Sequence, residues 1–98
     1  MIYVYARMEI NPGCMDKMKA LLARTVPKVL AEDGCIQYIP CVDCDEPEKY
    51  ITFVEAWENR EKHKAHLAAP HMAEFREAAR PLRQPSTVKV ITPAELKF

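Results

Sequence analysis

Phe53-Val-Glu-Ala-Trp-Glu-Asn-Arg-Glu-Lys-His-Lys-Ala-His-Leu-Ala-Ala-Pro-His-Met-Ala-Glu-Phe75 decides the fold of this 98-residue chain. Apolar and β-branched residues at its start predict a strand over Lys49–Glu58, with Ile51, Phe53, Glu55 and Trp57 on one face. Tyr50, Thr52, Val54 and Ala56 share the other face. Asn59 is a good N-cap for a helix from Arg60 to Ala69. Pro70 interrupts it, because a proline inside a helix lacks the N–H and clashes with the preceding turn. A second helical piece then runs from His71 to Ala79. The stretch carries the only tryptophan, all three histidines and a glutamate among strand apolars, so it is the natural wall of any pocket with chemistry in it.

Working outward, Met1–Ile10 alternates as a strand whose two faces are both fairly apolar, and Asn11-Pro12-Gly13 ends it. Met18, Leu21, Leu22, Val26, Val29 and Leu30 recur at three- and four-residue steps, predicting a helix over Cys14–Glu32 with a bend or break at Pro27. Asp33-Gly34 closes it. Cys35–Val42 reads as a strand with Pro40 at an edge or bulge, and Asp43–Glu48 as the turn of an antiparallel hairpin. Arg80–Pro85 reads as a loop, Ser86–Thr92 as the last strand and Pro93–Phe98 as a tail. The order β-α-β-β-α-β predicts a ferredoxin-like α+β fold, a single domain over residues 1–98 with a four-stranded antiparallel sheet. Two helices cover one sheet face only. The apolar residues left on the other face predict a homodimer, in which a second copy supplies the cover.

Composition excludes several classes. Hydrophobic residues make up 49% and charged residues 29%, a globular balance. Fourteen basic and fourteen acidic residues cancel, leaving no electrostatic footprint for nucleic acid. No apolar run approaches the roughly 20 residues that span a bilayer. The opening Met-Ile-Tyr-Val-Tyr-Ala has no basic n-region, so the expected location is the cytoplasm. Of the four cysteines, Cys41 and Cys44 form a lone C-x-x-C without the second pair that structural zinc needs. The cysteines are therefore expected to be inert thiols or an incidental disulfide. Two glycines leave no room for a G-x-G-x-x-G or phosphate-loop cradle, so no nucleotide cofactor is expected.

Glu55-Ala-Trp57, then His66 and Pro70-His71, together with Asp33-Gly34-Cys35-Ile36, the Asp45–Tyr50 hairpin and Pro12-Gly13, resemble the antibiotic-biosynthesis monooxygenase family. The resemblance covers nearly the whole chain. It implies a dimeric α+β barrel of two ferredoxin-like protomers, each with a pocket between sheet and helices. It also implies oxidation of a small aromatic substrate, a quinol or polycyclic phenol, by molecular oxygen without metal or flavin. Relatives include an isomerase of a phosphorylated sugar and haem-degrading enzymes; the latter fit less well, since their helix tryptophan falls at His66 and their distal histidine at Arg76. A non-catalytic ligand-binding dimer is the remaining alternative, because fold does not fix function.

The candidate catalytic residues are His66, His71 and Glu55. Histidine suits acid–base work near neutral pH, although either could instead orient a helix junction. Glu55 on an apolar strand face is costly unless paired, so it is expected to orient a histidine (His66 first) or an arginine, or to line a wet cavity. Trp57, Tyr38, Phe53 and Phe75 are the candidate substrate-binding aromatics, although a tryptophan so placed is more often core. His63, between Lys62 and Lys64, is expected to be solvated. A metal site from His63 and His66 lacks a third ligand, so none is assigned. Arg76 and Arg80 could pair an anionic substrate but fit a solvated face better.

Overall fold

The structure is a computed structural model that describes all residues, 1–98. Its elements are β1 (Ile2–Glu9), α1 (Met15–Leu30), β2 (Cys35–Val42), β3 (Tyr50–Trp57), α2 (Arg60–Ala68), α3 (Pro70–Ala79), a 3-10 turn (Arg80–Leu82) and β4 (Thr87–Ile91). The strands form one sheet in the order β2-β3-β1-β4 with every neighbouring pair antiparallel, the ferredoxin-like arrangement expected. No helix is long and apolar enough to cross a membrane.

Register places the chemistry. Val4, Glu55 and Tyr38 lie in one row across β1, β3 and β2, and Val88, Ala6, Phe53 and Pro40 in the next. Side chains alternate between faces, so these rows lie with Ile2, Met8, Ile51 and Trp57 on the face that the helices cover. There they join Met15, Met18, Leu22 and Val29 of α1 and Met72 and Phe75 of α3 in one core. A β-bulge between Cys35 and Gln37 resets the phase of β2 and leaves Ile36 outside.

Proline acts differently at its two helical positions. At Pro27, where a bend or break is expected, α1 runs without a break. Pro27 and Ala23 are both exposed, so the carbonyl left without its partner faces water. At Pro70 the chain does break. Ala69 takes an extended conformation (φ −66°, ψ 140°), as the residue before a proline prefers, and Pro70 becomes the first residue of α3. The Asn59 side chain accepts from the Lys62 N–H at 2.9 Å, capping α2 as its sequence suggests.

The turn after α1 is pinned twice. Gly34 has φ +82°, and its carbonyl accepts from the Glu58 N–H at 2.9 Å. Lys62 pairs with Asp33 beside it. A β-carbon at Gly34 would collide with the Lys62 methylenes and force a left-handed side-chain-bearing residue. Gly34→Ala should therefore lower the unfolding free energy in urea by about 1–2 kcal/mol.

Candidate active site

Between the sheet and the α2–α3 pair lies a cavity of about 300 Å³. Its interior is formed by Tyr38, Phe53, Glu55, His66, Met72 and Phe75, all buried. Its rim carries Arg76, Arg83 and the Pro85–Ser86 segment before β4. A second void of about 360 Å³ lies between α1 and the β2 edge, but Lys19 is its sole charged residue. It holds no acid–base pair.

His66 is 2% exposed and its Nδ1 lies 2.8 Å from Glu32 Oε2. The same oxygen lies 2.8 Å from His71 Nε2. A carboxylate only accepts, so both histidines present N–H groups to it, which leaves His66 Nε2 without a bound proton in the neutral ring. Burial pushes the pKa of His66 below 6.5, partly opposed by the hydrogen bond and charge of Glu32. The ring is thus neutral at pH 7, a base with its free nitrogen set by a carboxylate. Tyr38 and Trp57 pack around it at ring-centroid separations of 5.5 and 4.6 Å.

The other candidates are distributed as follows. Glu55, 4% exposed, accepts a hydrogen bond from the Trp57 indole at 2.9 Å rather than serving a histidine or arginine. Trp57 itself is fully buried and does not line the cavity. Tyr38, Phe53 and Phe75 do, whereas Tyr3, Tyr5 and Tyr50 belong to the opposite sheet face. His71 lies outside the cavity, on a smaller pocket between α1 and α3. His63 is not solvated: it is buried, 6.0 Å from the Trp57 ring, because a three-residue step from His66 keeps it on the inner face of α2. Arg80 pairs with Glu77 at 3.1 Å. All four cysteines are free. No group of three His, Cys, Asp or Glu side chains is arranged to hold a metal ion.

Glu32 was not among the sequence candidates. It lies just past the end of α1 and resembles any polar residue at a helix exit. The one available signal was the bare need of two histidines for an acceptor.

The model of the antibiotic biosynthesis monooxygenase family matches residues 1–78, so it spans β1 into the last turn of α3 and every buried residue of the cavity. The chain belongs to this family. "Probable quinol monooxygenase YgiN" of Escherichia coli K12 is 35% identical over 89 residues, covering 82% of this chain and 86% of the relative. Among solved structures, an antibiotic biosynthesis monooxygenase superposes with a TM-score of 0.89 at 26% identity, covering 97% of this chain and all of the other. Rv0793 from Mycobacterium tuberculosis gives 0.83 at 26% identity, covering 99% and 98%. These superpositions agree with the ferredoxin-like sheet and helices described above.

Burial sets the protonation of Glu55. Desolvation raises its pKa from 4.5 to about 7, against the opposing indole hydrogen bond. At Glu55 the folded state therefore binds a proton more tightly than the unfolded chain, and this group's contribution to stability falls as pH rises from 4.5 through 7, by about 3 kcal/mol. Glu55→Gln keeps the indole's acceptor and removes the titration. Its urea-unfolding free energy should lack this fall over that window and exceed the parent's above pH 7.

Proposed function

We propose that this protein is a monooxygenase that oxidises a quinol or polycyclic phenol with molecular oxygen, the substrate itself being the reductant. The observation that carries this reading is the neutral, carboxylate-oriented His66 inside a predominantly apolar cavity of about 300 Å³. The quinol monooxygenase name of the Escherichia coli relative points the same way. No metal or flavin is assigned a role.

In this mechanism His66 Nε2 takes the phenolic proton as the substrate enters. Tyr38, whose hydroxyl is kept protonated by burial, donates to a substrate oxygen. The phenolate transfers one electron to oxygen, and the two radicals combine to form a carbon–oxygen bond. The proton held on His66 returns to the peroxide. Loss of water from that carbon leaves a carbonyl, so that quinol plus O₂ gives hydroxyquinone plus water. Glu32 is a positioning residue, holding the Nδ1 hydrogen so that the basic nitrogen is Nε2. His71 holds Glu32 from the other side. Phe53 and Phe75 supply the flat apolar walls for an aromatic ring.

Oxygen uptake with hydroquinones or anthrones tests this directly. His66→Ala should lower kcat by about 10²–10⁴-fold, the usual contribution of a positioned base. The acid limb of the parent's kcat/KM profile should lie below pH 6.5, since burial holds His66 down. Glu32→Gln removes the charge that raises this pKa, so the limb should move to still lower pH while kcat drops. Unchanged uptake in His66→Ala, or a limb that stays put in Glu32→Gln, contradicts these roles.

The homodimer belongs to the same reading. Tyr5, Val54 and Ile39 form a continuous apolar row across β1, β3 and β2 on the face away from the helices, with Ile91 on the same face. Tyr5, Ile39 and Ile91 are each over two fifths exposed in the single chain. Such a patch marks an interaction surface. Light scattering should give twice the 11.3 kDa chain mass, and Tyr5→Glu should shift the population to monomer. A cytoplasmic setting suits the four free cysteines.

A further inference from the structure

The cavity is not uniformly apolar. Two guanidinium groups, those of Arg76 and Arg83, stand on its rim, and neither has a carboxylate within ion-pair distance. Arg76 uses one N–H on the Leu67 carbonyl at 3.0 Å, and Arg83 one on the Gln84 carbonyl at 3.2 Å. A guanidinium carries five donors, so most of this capacity is free. The Arg83 Nε is also buried and lacks any hydrogen-bond partner, the only such side-chain atom in the protein. That nitrogen is closed off from the cavity, so a ligand would meet the terminal nitrogens of the two guanidiniums. Arg80, one turn beyond Arg76, shows the contrast: its guanidinium is spent on Glu77 and it does not line the cavity.

Past the rim the wall changes character to Phe53, Met72 and Phe75, with His66 among them. An anion seated between the two arginines would therefore be joined to a flat apolar body reaching inward. A guanidinium fork matches the two oxygens of a carboxylate better than a single hydroxyl does. A neutral quinol of the same size would leave both guanidiniums without a counter-charge.

We infer that Arg76 and Arg83 form an anion subsite and that the substrate is a hydroxylated polycyclic aromatic acid, its carboxylate at the rim and its phenol directed toward His66. This rests on the oxygenase reading for the identity of the reacting end, but the subsite itself is a matter of binding. It accounts for the cationic rim and the apolar interior together. It also gives the phenol a fixed orientation, since the ligand is held at the end opposite the base.

Calorimetric titration with 6-hydroxy-2-naphthoate and 2-naphthol, which differ only in the carboxylate, tests it in oxygen-free buffer where no turnover occurs. The acid should bind at least about tenfold more tightly, the factor a charge-assisted pair readily supplies. Its advantage should shrink with added salt. Arg76→Gln and Arg83→Gln should each remove most of that advantage and leave naphthol binding within about twofold, whereas Arg80→Gln should change neither. Equal affinity for the two ligands, or arginine variants that weaken both alike, would overturn the subsite. Arg83 forms a β-bridge with Ile10, so Arg76→Gln decides the matter if the Arg83 variant does not fold. Oxygen uptake is read separately, so loss of the carboxylate preference would leave the oxygenase reading standing, and absence of uptake would leave the subsite standing.

Discussion

One oxygen atom, Glu32 Oε2, joins three helices. It belongs to the exit of α1 and receives hydrogen bonds from His66 near the end of α2 and His71 in the first turn of α3. Hydrogen bonds to a carboxylate in a half-dry setting are stronger than neutral ones and costly to break. The glutamate's placement depends in turn on the Asp33–Gly34 turn, held against α2 through Lys62 and against β3 through Glu58. The cavity roof is thus fixed by a polar knot on its outer side, while the interior remains free to be apolar.

That division of labour explains the unusual population of the inner sheet face. Glu55 sits in the row between Val4 and Tyr38, where a bare carboxylate would be expensive. It is tolerated because the Trp57 indole gives it a donor and because burial lets it hold a proton near neutrality. Tryptophan and glutamate two residues apart on one strand face form a closed local pair. They make a stiff backing for His66, and the histidine's own carboxylate arrives from elsewhere.

Strands, helices and their order were legible because they rest on local periodicity: the two-residue alternation of Met1–Ile10 and Lys49–Glu58, the apolar stripe of α1, the Pro70 interruption. So was the interest of His66. The polar contacts around it were not. Glu32 reaches His66 and His71 across 34 and 39 residues of chain, a separation that no local pattern encodes. Pairing Glu55 with a histidine was reasonable from its strand face, but a strand neighbour two residues away was nearer. His63 was misjudged because its flanking lysines outweighed its three-residue step to His66. Pro27 does not break α1 because breaking depends on whether the orphaned carbonyl is dry, and here it is wet.

The extended residue Ala69 sets an angular phase. On an uninterrupted α-helix, side chains five positions apart point about 140° away from each other, since each residue turns about 100°. His66 and His71 could not then meet at a single atom. The joint at Ala69–Pro70 rewinds that phase and brings two imidazoles from opposite sides of a would-be cylinder onto one oxygen. A proline usually counted as a defect in helical order is here a compass setting for His66.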